Sequence, residues 1–114
     1  MFYAKHYTEV SAQEVEVEGA SNVKIRWLVD QKKGAPNFAM RLFEIGAKGH
    51  TPFHAHPWEH EIYVLEGSGV MRIEDAEYPL SKGSVALVPE DKKHQFASAG
   101  KAMKMICVIP NKGK

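Results

Sequence analysis

Three features of this chain predict an all-β fold. Apolar residues recur at every second position, turn-forming residues interrupt them roughly 8 to 12 residues apart, and no stretch holds a helical period. Val15 and Val17 alternate with Glu16 and Glu18, which reads as a short strand with one wet face. Strands are expected over 23–29 and 38–45, broken by Lys33-Gly34-Ala35-Pro36 and closed by a turn at Gly46-Ala47-Lys48-Gly49. Glu66-Gly67-Ser68-Gly69 then separates a strand over 62–65 from one over 70–73. Lys82-Gly83 opens a strand over 84–88, Pro89-Glu90-Asp91 ends it, and a last strand covers 103–109. No helix is required. With no repeat, low-complexity tract or linker, residues 1–114 are expected to form one domain.

Composition narrows the partners. A chain of 114 residues can bury a core without metal or disulfide staples. Its 15 basic and 14 acidic side chains leave a formal charge of +1, so no chain-wide field favours nucleic acid or an anionic membrane, and a small molecule is the expected partner. The opening Met1-Phe2-Tyr3-Ala4-Lys5-His6 lacks the apolar region of a signal peptide, and no run approaches the roughly 18 apolar residues of a membrane span. A cytoplasmic protein with a reduced Cys107 is expected. That cysteine stands alone, which permits neither an internal disulfide nor a thiolate zinc site.

The densest chemistry lies in Thr51-Pro52-Phe53-His54-Ala55-His56-Pro57-Trp58-Glu59-His60-Glu61. On an extended strand residues i and i+2 share a face, so His54 and His56 point the same way, and a Pro57-Trp58 turn lets a hairpin partner begin at His60. Three imidazoles can thus meet on one ion. Neutral imidazole suits Zn, Cu, Fe and Ni, and two or three such ligands with open positions are how catalytic metal sites are built. The bland reading, solvated surface histidines, gives no reason for this even spacing. No H-E-x-x-H helix, nucleophile elbow or phosphate loop competes with it.

Two ordered stretches carry a resemblance. Gly49-x4-His54-x-His56-x3-His60-x6-Gly67 is similar to the first motif of the cupin family, with the glycine displaced by one and His60 where glutamate is usual. Gly83-x5-Pro89-x-Asp91-x2-His94 is similar to the second, with Asp91 replacing glycine and Ser98 replacing asparagine. The resemblance implies a small single-domain cupin with a double-stranded β-helix, or jelly-roll barrel, whose core spans 36–110. It also implies that His94 joins His54, His56 and His60 as a fourth ligand to one divalent ion. Mn or Fe is favoured, and Ni, Zn or Cu is possible. Sliding the spacing by one would make Glu61 the ligand in place of His60, although only His60 keeps six residues before Gly67. Asp91 implies either that its turn does not need positive φ or that aspartate tolerates it.

Strand parity nominates the pocket wall. Lys104 marks one face of the last strand as outward, so Met103, Met105, Cys107 and Ile109 face inward. Glu44 does the same for 38–45 and sends Arg41 inward with Phe43 and Ile45, where a buried cation would need either an anionic substrate group or a surface carboxylate. Phe96 shares a face with His94. Arg41, Phe96, Met105, Cys107 and Ile109 are therefore the pocket candidates; Cys107 reads as core, and Trp58 as a cap over the turn or a packing anchor. The leading function is a metal-dependent oxidoreductase of dioxygenase type acting on a small oxygenated substrate. An isomerase or lyase using the ion as a Lewis acid at a carbonyl is the second, and a non-catalytic ligand-binding module is the third. The apolar residues Phe2, Tyr3, Tyr7, Trp27 and Leu28 in the first 30 residues predict a homodimer interface there.

Overall fold

The computed structural model describes residues 2–111. Alternating side chains form nine strands: β1 (Gln13–Glu14), β2 (Ser21–Val29), β3 (Phe38–His50), β4 (His60–Glu66), β5 (Ser68–Ile73), β6 (Ala76–Ser81), β7 (Val85–Val88), β8 (His94–Ser98) and β9 (Met103–Pro110). They join in one curled antiparallel sheet of order β6-β5-β8-β3-β9-β4-β7, with β2 added to β3 and β1 to β2. The all-β class holds. The named helical elements are two short 3-10 segments, Tyr7–Glu9 and Gln31–Lys33.

Burial follows parity most strictly on β9, where Met103, Met105, Cys107 and Ile109 are buried and the residues between them are not. They join Val23, Ala39, Ile45, Ile62, Val64, Phe96 and others in one interior cluster. Leu42 is fully buried but lies outside that cluster. Its face of β3 carries Glu44, which pairs with Arg26 at 3.3 Å, while Arg26 and Lys104 reach back to the Val10 carbonyl and the Tyr7 hydroxyl. The amino-terminal segment is thereby strapped to the outside of the sheet. Of the aromatics expected to meet a second copy, Tyr7 is bound in this strap, the Tyr3 hydroxyl donates to the Leu28 carbonyl, and Trp27 packs against the interior.

Several boundaries differ from expectation. Val15 and Val17 are not in a strand; β1 ends at Glu14 and the chain turns at 17–19. Gly46–Gly49 is not a hairpin turn but a bulge inside β3, because Val23 pairs with Ile45 and Ser21 with His50, leaving four residues of β3 opposite one of β2. Lys48 takes φ of 59° there, and a Cβ on Gly49 would lie 2.8 Å from the Asn22 carbonyl oxygen. β6 was hidden by Pro79, which breaks a central ladder but is tolerated because β6 is the sheet edge. β8 went unread as a strand because its five residues mix His94, Gln95 and Ser98 with only two apolar side chains. Gly67 has φ of 80°, as its hairpin position demands, and Asp91 has φ of 64°, so the turn before His94 does need positive φ and aspartate tolerates it.

Candidate functional site

Register builds one wall of a pocket. β2, β3, β9 and β4 lie side by side, and their pairing aligns Trp27, Arg41, Cys107 and Ile62 in one row and Ile25, Phe43, Met105 and Val64 in the next. The pocket above these rows has a volume of about 330 Å³. Arg41, Phe96, Met105 and Cys107 line it, together with His54, His56, His60 and His94. Ile109 does not; it is buried in the core beyond the lining.

The histidines do not come from a hairpin. β3 and β4 are separated in the sheet by β9, and residues 51–59 cross between them without a ladder. That crossing is held by single bonds. His54 and His94 exchange backbone hydrogen bonds of 3.0 and 2.8 Å, and the Asp91 amide donates to the His56 carbonyl at 2.7 Å. Thr51, buried, donates its amide to the Phe96 carbonyl and accepts the Phe96 amide on Oγ1, both at 2.9 Å. His60 opens β4 and His94 opens β8, so both are fixed by the sheet itself. Ser98, in the position the family pattern gives to asparagine, accepts the Gly49 amide and donates to the Gly46 carbonyl, which ties the β3 bulge to β8.

The four rings cluster. Centroid separations are 4.3 Å for His54–His56, 4.7 Å for His60–His94, 5.2 Å for His54–His94, 5.4 Å for His56–His60 and 6.1 Å for His56–His94. Among the described residues no group of three or more His, Cys, Asp and Glu side chains is closed to ion-holding distances. The donor set nevertheless suits a metal. Burial pushes His54 down to about 4 and His60 down to about 3, helped by neighbouring rings and by Arg41, and burial likewise lowers His56 and His94. All four are neutral at pH 7, the form that donates a lone pair. The Nδ1 of His94 lies 2.9 Å from the Lys92 carbonyl, which only accepts, so Nδ1 carries the proton and Nε2 keeps its lone pair. Nδ1 of His60 is buried without a hydrogen-bond partner.

Glu59 and Glu61 are exposed, and Glu61 lies in an outer groove with Tyr63 and Leu87, away from the rings. Sequence parity missed the part played by Trp58. Its indole stacks on His56 with centroids 4.5 Å apart and planes 7° from parallel, and its Nε1 is buried without a partner. The signal was present, since Trp58 follows His56 by the same two-residue step that joins His54 to His56. Glu14, Val15, Glu16 and Val17 also line the pocket, a role no local pattern announces because it depends on where β1 meets β2.

Comparison with known proteins places this geometry in context. A model of the cupin domain matches residues 41–109. The polyketide cyclase RemF from Streptomyces resistomycificus is 35% identical, with 97% of this chain and 80% of that one covered at a TM-score of 0.92. A cupin-2 domain protein from Rhodospirillum rubrum, 21% identical with 100% and 78% covered, has a TM-score of 0.83 and is alike in fold. Protein SchB from Streptomyces halstedii is 35% identical over 48 residues, 41% of this chain and 35% of that protein. The matched segments span between 35% and 57% of the curated relatives' lengths. No helix among the described residues is long and apolar enough to cross a membrane.

Proposed function

The chain belongs to the cupin domain family, and on that premise we propose that it is a metal-dependent cyclase acting on a poly-β-carbonyl chain. The carrying observation is the four neutral imidazoles gathered on the wall of an otherwise largely apolar pocket. Likeness to a polyketide cyclase over 97% of the chain favours the Lewis-acid reading over the dioxygenase reading, for which these comparisons give no specific support. His54, His56, His60 and His94 would hold the ion. A divalent ion bound there supplies Lewis acidity at a carbonyl oxygen and so acidifies the neighbouring C–H.

The rest is the work of the chain itself. Lys92 fixes the His94 tautomer, Trp58 fixes the plane of His56, and the Thr51–Phe96 pair holds the crossing loop over the cavity. Apolar walls from Ile25, Trp27, Phe43 and Met105 keep water from a carbanion and leave a flexible substrate few ways to fold. In the reaction an α-carbon loses a proton and attacks a carbonyl of the same chain. One C–C bond forms as the π bond of that carbonyl opens, its oxygen takes up a proton in place of the one lost from carbon, and the resulting hydroxyl leaves with an adjacent α-proton as water when the ring dehydrates. His54, His56, His60 and His94, all neutral, would leave the charge of a divalent ion uncompensated. This chemistry needs no redox-active metal, so the preference for Mn or Fe belongs to the oxygenase alternative.

The test is mass spectrometry with oxygen-electrode recording on metal-loaded protein given a synthetic linear poly-β-ketone. Loss of water from substrate without oxygen uptake supports the cyclase; gain of oxygen atoms with uptake would replace it by the dioxygenase. Alanine at His60 or His94 should abolish turnover and weaken metal binding at least tenfold, with a β-rich circular dichroism spectrum retained. A homodimer stays part of the proposal, supported by the exposed Phe2 and Phe38.

A further inference from the structure

Arg41 is the permanent cation in the pocket lining, and its partners do not match its chemistry. Its guanidinium lies over Phe43, two residues along β3, at 4.9 Å and near Trp27, its cross-strand partner on β2, at 5.6 Å. Nη2 donates to the Cys107 sulfur at 2.8 Å, and Nε is buried without a partner. Ion pairs among the described residues join Arg26 and Lys104 to Glu44 and Glu66 and leave Arg41 out. The pocket's own carboxylates, Glu14 and Glu16, are exposed. Nε–H and the Nη2 amino group lie along the same edge of a guanidinium, the edge that grips a carboxylate through two parallel hydrogen bonds. Here that edge meets one neutral thiol, a weak acceptor, and nothing else.

We infer that the Nε/Nη2 edge of Arg41 is an oxyanion subsite, which takes two oxygens sharing one negative charge at one end of the substrate. A carboxylate and a 1,3-dicarbonyl enolate both present that pair. Neither Glu14 nor Glu16 forms an ion pair with Arg41, and the apolar side chains around the subsite strengthen a charged hydrogen bond by excluding water. Cys107 acts as its placeholder. The inference deepens the cyclase reading by naming what its substrate must carry, but the subsite itself needs no ion.

The experiment uses chelator-treated protein and isothermal titration. Benzoate reports a carboxylate, benzoylacetone above its pKa reports an enolate, and benzamide is the neutral control. At least one anion should bind about tenfold or more tighter than benzamide, and which one does so identifies the source. Arg41→Met should remove that preference, and Arg41→Lys, which keeps charge but loses the fork, should leave only part of it. Replacements at Cys107 guard against a misfolded Arg41 variant, because they predict opposite signs. Cys107→Ala frees the donor and should raise anion affinity a few-fold; Cys107→Ser supplies a stronger competing acceptor and should lower it. No preference in the wild type, a preference surviving Arg41→Met, or equal affinities for the two Cys107 variants would overturn the subsite. Anion preference retained in a protein whose histidines bind no metal would instead sink the cyclase reading alone.

Discussion

β9 and the crossing segment 51–59 both supply the pocket, yet they are built in opposite ways. β9 is clamped along its length by β3 on one side and β4 on the other, and its inward residues are buried without exception. The crossing has no ladder and depends on a bridge between His54 and His94, one amide from Asp91 and the Thr51–Phe96 pair. The chemistry is divided: His54 and His56 stand on the less constrained crossing, whereas His60 and His94 open strands of the rigid scaffold. Stability and function should therefore separate when the two are perturbed.

The largest effect is expected on the scaffold. Ile109→Ala removes a side chain that is 1% exposed and outside the pocket lining, and it should destabilise the protein by about 2–5 kcal/mol in urea unfolding while metal affinity is kept. If metal affinity fell with stability, the two regions would not be separable. Thr51→Val strikes the crossing. It leaves the Phe96 amide without its acceptor, which costs about 1–3 kcal/mol, and here metal affinity should fall as well, measured by competition with a chromophoric chelator. Acid comes next. The unfolded chain protonates its histidines near pH 6.5, whereas burial holds His60 down to about 3 and His54 down to about 4 in the fold. Between those values the unfolded state binds more protons, so metal-free protein should lose stability as pH falls from about 6.5 towards 4, and His60→Phe should flatten the slope. The smallest effect is a gain. Asp91→Gly relieves a φ of 64° while keeping the amide bond to His56, and should stabilise by roughly 0.5–1 kcal/mol with metal affinity unchanged.

What the sequence disclosed follows the same division. Alternation was enough for β9, because a strand paired on both sides has no freedom to turn a side chain elsewhere, and it located β2, whose outer side β1 covers only at Lys24 and Ile25. It also sent Arg41 inward, and the six-residue spacing to Gly67 preferred His60 to Glu61, which is exposed. It failed at β6, where Pro79 is admissible only at a sheet edge, and at 46–49, where glycines that suggest a turn instead absorb a bulge. Both depend on which strand lies alongside, and no local window contains that. For the histidines the spacing alone found the cluster but supplied the wrong scaffold: the hairpin it suggested is absent, since β9 lies between β3 and β4. The stacking of Trp58 on His56 had a local signal in their two-residue step, whereas the rim formed by residues 14–17 is a tertiary fact with little local signature.

Cys107 is the one thiol of the chain, 1% exposed at the centre of a row that runs from Trp27 through Arg41 to Ile62. Burial also pushes it up, away from the reactive thiolate. Because Cys107 also lines the pocket, a thiol reagent in solution meets it from that side, so its rate of alkylation is a clock for the opening of the pocket. The same sulfur rests on the Arg41 guanidinium, and a ligand that takes that edge should slow or speed the clock without touching the cysteine.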